Sequence, residues 1–322
     1  MTGAIFVMAI SAFYMLRRQD VQFARSSFRL AAAFGVIATI MTVQMGDESG
    51  YLVTKDQPSK IAAMEAIWET HEAPAPLTLF AIPDEKAQMN HAQIDVPWLF
   101  GLMGTRSLST EIPGIKELTA QAEARIVNGQ KAIEVLEALR KDPNNAQLRE
   151  EFLAIRDDLG FGLLLKRYTN NVAEATPEMI KQAAADTIPS VTPMFWSFRL
   201  MVGAGLAMAF VFILGLYFSA KNVIAEKTWF LRLAVLALPL PWIASEAGWF
   251  VAEFGRQPWT IYNVLPTHLS VSALSTGDVI GSLIGFGVLY TALLIVEMWL
   301  MIRIGRKGPS SLGTGRYHFE RK

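Results

Sequence analysis

FWSFRLMVGAGLAMAFVFILGLYF, residues 195–218, is an apolar run of 24 residues interrupted by a single charge, Arg199. An α-helix needs about 20 such residues to cross the hydrocarbon core of a bilayer, so this run sets the fold class. Two further runs qualify, 229–252 and 279–302. The run 30–45 is a little short but free of charge, and the arginines before it can snorkel to the interface. Thr2–Leu16 is also short and begins at the start of the chain. The expected fold is all-α: a polytopic transmembrane helix bundle with five spans and a large helical loop outside the cytoplasm. With 18% charged residues in a chain of 322, the composition falls below the roughly 25% of soluble domains. Cysteine is absent, which excludes disulfides, thiolate metal sites and covalent CxxCH haem attachment. The apolar start lacks a basic n-region and a small-residue cleavage site, so no cleavable signal peptide is expected.

Basic residues set the orientation. Segments 17–29 and 219–232 and the tail from 302 hold 13 of the 29 lysines and arginines but only 3 of the 29 acidic residues. Excess Lys/Arg marks cytoplasmic loops. These segments alternate as five spans require, with the N-terminus outside and the C-terminus inside. The chain then divides into two transmembrane helices (1–46), an extracytoplasmic loop (47–190), three transmembrane helices (191–302) and a cytoplasmic tail (303–322). A loop of that length needs structure of its own. Residues 115–140 are charged and helical in pattern, Thr176-Pro177-Glu178 reads as a helix start, and 58–70 reads as a short helix near the membrane surface.

A charge near the bilayer centre costs at least ~2.5–3.5 kcal/mol, so Arg199, Glu246, Glu253 and Glu297 each imply a paired or functional role. Glu246 and Glu253, seven residues apart, share a helix face, and Trp242 and Trp249 fall on the same stripe. Pro239 and Pro241 within that span predict a kink. The face can line a proton path, ligate a metal or haem iron, or form a buried ion pair such as Glu246 with Arg199. Met201 lies two residues after Arg199, with Gly203 and Gly205 close behind, where a flat ligand or another helix can approach the backbone. A thioether can be an axial haem ligand, although most methionines in membrane helices only pack. Lys60 and Glu65 could bind a quinol headgroup and accept its proton; composition alone favours a solvated helix face. The four histidines, His71, His91, His268 and His318, all read as loop residues.

WFVAEFGRQPW (249–259), preceded by LPLPWIASEAG and followed by NVLPT, closely resembles the signature of cytochrome bd oxidase subunit I. GDESGY (46–51), KIAAMEAIWET (60–70), LGFGLLLKRYTNNVAEAT (159–176), FRLMV (198–202) and GPSSLGTGRYHFE (308–320) resemble further family segments in family order. The 47–190 segment is similar to the long form of the family's quinol-binding loop. The resemblance implies that Lys60 and Glu65 serve quinol oxidation. It makes Met201 the axial ligand of a low-spin b haem, with Arg199 supporting that site. Glu253 becomes the ligand of a high-spin b haem, with Trp249 and Arg256 as neighbours. Two b-type haems and one d-type haem, ubiquinol or menaquinol as substrate, O2, a subunit II and a bacterial cytoplasmic (inner) membrane are implied with it, and nucleic acid is not. Two quinols would be oxidised and dioxygen reduced to two waters, generating a proton-motive force. The complete subunit of the family has further membrane helices before the point where this sequence starts, and these carry the haem-ligating histidines. The expectation is therefore a partial subunit that does not turn over alone. The competing readings are a haem-free membrane fragment or assembly anchor, and a proton-coupled transporter with Glu246 and Glu253 as relay.

Overall fold

The computed structural model describes residues 1–307, in two units, Met1–Ser270 and one beginning at Val271. Four helical stretches are long and apolar enough to cross a membrane: Val21–Asp56, Val191–Ala220, Thr228–Phe254 and Thr276–Arg306. Thr2–Leu16 is an apolar helix below that length. The protein is an all-α polytopic bundle of an integral membrane protein.

In the first unit, α1 (Thr2–Leu16), α2 (Val21–Asp56), α8 (Val191–Ala220) and α9 (Thr228–Leu236) share one core of Ile5, Met8, Phe28, Phe212, Phe230 and Leu231. α2 shows why these helices pack as they do. Phe28, Ala31, Ala32 and Gly35 are buried, while Leu30, Phe34, Ile37 and Met41 on the other face are exposed, as lipid contact requires. At about 1.5 Å per residue the 30 residues of α8 span about 45 Å, longer than the hydrocarbon core, so its first turns rise beyond it. The fourth expected span breaks where the prolines sit. α9 stops at Leu236 and α10 (Leu240–Phe254) starts with Pro241 in its first turn.

Between α2 and α8 lie α3 (Pro58–Glu65), α4 (Ile115–Lys141), α5 (Ala146–Ile155), α6 (Leu159–Leu164) and α7 (Pro177–Ala185). Thr176 caps α7 as its sequence implies, its hydroxyl accepting from the Met179 N–H at 3.4 Å. α2 continues to Asp56, past the expected boundary at 46, and α3 is shorter than expected, ending at Ala66 in the left-handed region (φ 53°). The intervening segment is not purely helical. β1 (Leu77–Asp84) and β2 (Met89–Val96) form an antiparallel hairpin, closed by Asp84 accepting from the N–H groups of Lys86 and Ala87. A core of Ile126, Phe161, Leu164, Leu165 and Val172 holds α4 against α6. Trp259, from the chain beyond α10, is 1% exposed in that core, its ring 5.2 Å from Phe161.

α4 and α6 touch backbone to backbone at Gly129, where an added Cβ would lie 2.3 Å from both the Asp158 carbonyl oxygen and the Gly162 nitrogen. Gly129→Ala should push the helices apart at a cost of about 1–3 kcal/mol. Limited proteolysis of the inserted protein should then cleave this segment faster; unchanged protection would mean that the seam yields without strain.

The second unit contains α11 (Thr276–Lys307). The Ser275 hydroxyl donates to the Asp278 carboxylate at 2.6 Å, and the Asp278 N–H donates back to Ser275 at 3.3 Å, fixing the helix start. The segment 308–320 lies outside the described residues.

Candidate functional site

The site is organised by α3. Pro58 starts this eight-residue helix, and Ile61, Ala62, Ala63 and Met64 bury against Met194 and Phe195 of α8 and Val251 of α10. With the apolar residues so committed, the two charged side chains are delivered to different spans.

Glu65 meets Arg199. The carboxylate is 3% exposed and accepts from the guanidinium at 2.8 Å, so it is not on a solvated face. Arg199 also donates to the Met64 carbonyl at 2.7 Å and to the Thr78 carbonyl, and lies 3.4 Å over the Phe195 ring. Burial pushes the Glu65 carboxyl up to about 7, against the pull of Arg199 in the other direction. Pairing of Glu246 with Arg199 is overturned. Met201 faces α10, where its sulfur would lie 2.9 Å from a Cβ added at Gly248. Arg199, two residues earlier, is about 200° around the helix and points instead toward α3 and β1. Glu246 is exposed.

Lys60 meets the end of α10. Its ammonium donates to the Ala252 carbonyl at 3.3 Å, and a Cβ added at Gly255 would lie 3.1 Å from its Cε. Burial lowers its pKa; the Arg256 guanidinium lowers it further, and Glu253 opposes both. Arg256 pairs with Glu253, one turn back. Lys60, Glu253 and Arg256 thus form one cluster of two cations and a carboxylate. Trp249 is 65% exposed, and with Trp242 and Glu246 it forms a stripe on the side of α10 away from buried Ala247 and Val251.

The residues present match what an iron porphyrin with carboxylate arms requires from one side. Met201 is partly exposed, and beside it a Cβ at Gly203 or Gly205 would meet nothing within 4 Å, leaving the helix flank open. The Nε atoms of Arg199 and Arg256 are buried without hydrogen-bond partners. They are donors suited to carboxylates. Among the described residues no group of three or more His, Cys, Asp or Glu could hold a metal ion alone.

The sequence reading missed the hairpin and its polar network. Thr78 Oγ1 donates to Asp95, Gln93 donates to Thr78 and Asp95, and the Trp68 indole donates to Asn90, which donates to the Ala66 carbonyl. This network carries the Thr78 carbonyl to Arg199. A turn-forming Pro83-Asp84-Glu85-Lys86 between two partly alternating runs was the available signal. His91 stands in β2 rather than a loop, 3.6 Å from Asp84. His71 forms a backbone bridge with Ile112, and His268 lies in a short 3-10 turn (Thr267–Leu269). His318 is outside the described residues.

The profile of the family described as cytochrome bd terminal oxidase subunit I matches residues 1–309. The chain is similar to the cytochrome bd-II ubiquinol oxidase subunit 1 of Escherichia coli (strain K12), 42% identical over 311 residues, covering 97% of this chain and 60% of that protein. Against the cytochrome bd ubiquinol oxidase subunit 1 of Bacillus subtilis (strain 168) it is 30% identical over 308 residues, covering 95% and 54%. A putative cytochrome bd menaquinol oxidase subunit I of the same bacterium is 24% identical over 318 residues, covering 96% and 55%. The chain therefore spans at most 60% of the length of these relatives. With a profile match over nearly its whole length, the chain belongs to the cytochrome bd terminal oxidase subunit I family.

Proposed function

We propose that this chain is the quinol-facing, haem-holding part of a quinol:oxygen oxidoreductase, acting with a subunit II in a bacterial cytoplasmic membrane. Residues 47–190 form the quinol-binding loop outside the cytoplasm, and the tail from 303 lies inside, in keeping with the distribution of basic residues. The substrate is ubiquinol or menaquinol. Bound b-type haems, with a d-type haem, supply one-electron carriers between quinol and dioxygen, whose four-electron reduction takes two quinols and builds proton-motive force. Met201 holds one b haem iron through its thioether, and Arg199 offers its free Nε donor to the same group. Glu253 would hold the second, with Trp249 and the Arg256 Nε donor as its neighbours.

The observation that carries this reading is the position of α3. One short helix of the loop puts Glu65 on Arg199, two residues from Met201, and Lys60 on Ala252, next to Glu253. Lys60, half-buried, orients a headgroup oxygen. Glu65, poised near neutrality by burial, takes up a proton released on quinol oxidation. A general base is most effective when its pKa is near the working pH. In the assembled oxidase Glu65→Gln keeps the hydrogen bond from Arg199 but removes the base. Quinol oxidation should fall roughly 100-fold while the haem spectrum is retained. Unaltered turnover would sink the reading.

A further inference from the structure

At the opposite end of the helices, a cleft of about 120 Å³ is lined by Arg25, Ser26 and Arg29 of α2 and by Ser219, Asn222 and Ile224 at the end of α8. We propose that it binds a phosphate group, that of an anionic phospholipid headgroup or free phosphate. Arg25 and Arg29 lie one turn apart on α2, both exposed, and neither has an ion-pair partner among the described residues. No acidic side chain lines the cleft. Ser219 is 4% exposed, yet its hydroxyl has no hydrogen-bond partner, which is rare for a buried polar group. Three of the last four carbonyls of α8, which would repel an anion, are already occupied: Tyr217, Phe218 and Ser219 accept from Lys221, Val223 and Asn222. What remains is two guanidinium groups, the Asn222 amide and the Ser219 hydroxyl around one small space, the Ser26 hydroxyl being engaged with the Gln22 carbonyl at 3.1 Å. That donor set suits a phosphate and leaves a cation or an apolar ligand unsatisfied.

The depth of the cleft favours the lipid. The apolar stretch of α2 begins at Leu30, directly after Arg29, and that of α8 ends at Phe218, directly before Ser219. Tyr217, with the Lys221 ammonium 4.5 Å from its ring, and Trp229, 6.1 Å from Phe218, lie at the same level, as aromatic residues do at a membrane interface. Exposed Leu30 and Phe34 continue down α2, where acyl chains of a lipid held by its headgroup would run. Basic pockets between transmembrane helices at this level are suited to anionic headgroups. This inference uses none of the residues assigned to quinol or haem.

The test uses the full chain in its native oxidase assembly, as parent, as Arg25→Gln/Arg29→Gln and as the milder Arg29→Gln should the double variant fail to insert. Native mass spectrometry after exchange into nanodiscs of phosphatidylcholine with a minor share of phosphatidylglycerol would count retained phosphatidylglycerol. The parent should retain one more phosphatidylglycerol than the double variant, whose site should bind roughly 30-fold more weakly, and inorganic phosphate should not displace it. Displacement by millimolar inorganic phosphate, with the same dependence on the arginines, would keep the site and assign it to free phosphate. Equal retention in parent and variant, with no effect of phosphate on either, would overturn the proposal and leave the arginines to an acidic protein segment.

Discussion

Replacing Arg199 by leucine should lower the stability of the assembled protein by about 3–5 kcal/mol, the usual cost of leaving one member of a buried ion pair uncompensated. Glu65 would remain at 3% exposure without its counter-ion, and the Met64 and Thr78 carbonyls would each lose a donor. Glu65→Leu in the same chain should recover much of the loss, because a buried pair exchanged for apolar side chains is close to neutral. The unsatisfied carbonyls leave a residual cost of roughly 1–3 kcal/mol. Thermal melting of the detergent-solubilised complex at one scan rate, comparing the two single variants with the double, measures this directly. Additive losses would mean that the two side chains do not depend on each other.

The same pair sets a pH dependence. Burial raises the Glu65 carboxyl from 4.5 to about 7, so the folded state binds this proton more readily than the unfolded chain. Its contribution to stability is therefore present in full below pH 4.5 and is lost as the pH rises through about 7. Glu65→Gln should flatten the stability profile across that window. A profile unchanged by the substitution would show that the carboxyl titrates as it does in water.

Met201→Leu in the complete oxidase should abolish one b-type haem from the reduced-minus-oxidised spectrum while the protein stays inserted. Leucine is close to methionine in volume, and such exchanges usually cost less than about 1.5 kcal/mol. Leucine has the bulk to occupy the space beside α10, where the sulfur lies 2.9 Å from the position of a Cβ added at Gly248. The substitution thus removes the sulfur while keeping the packing. Met208, on the same face of α8 but buried in the core with Phe28 and Phe212, is the control: Met208→Leu should leave the spectrum intact. An unchanged spectrum in Met201→Leu would remove this residue from the ligand list.

The long elements were legible because their information is local. A run such as 195–218 can be nothing but a helix in a bilayer, since every backbone N–H and C=O must be satisfied within the segment. The same holds for the break before Pro241, which lacks a donor, and for the start of α7, where Thr176 and Pro177 act within one turn. The family motifs were likewise contiguous, and the family profile matches residues 1–309.

The pairing of charges was not legible. Arg199 could have met Glu246, another carboxylate among the membrane helices; which of them it reaches depends on the rotation of α8 about its axis. That rotation is set by the packing of Met201 on Gly248 and of Met194 and Phe195 on α3, contacts between residues about 50 to 130 positions apart. The burial of Glu65 has the same origin. Its own helix is too short and too mixed in character to bury anything unaided. Packing of α3 on α8, with Arg199 anchored on the Met64 and Thr78 carbonyls beside it, takes the carboxylate out of water. The sequence alone thus determined that this is a membrane-embedded helical protein of one family, because helix formation in lipid is a local necessity. The tertiary structure alone decided which charge faces which, because that depends on how the helices are rotated and on which distant segments cover them.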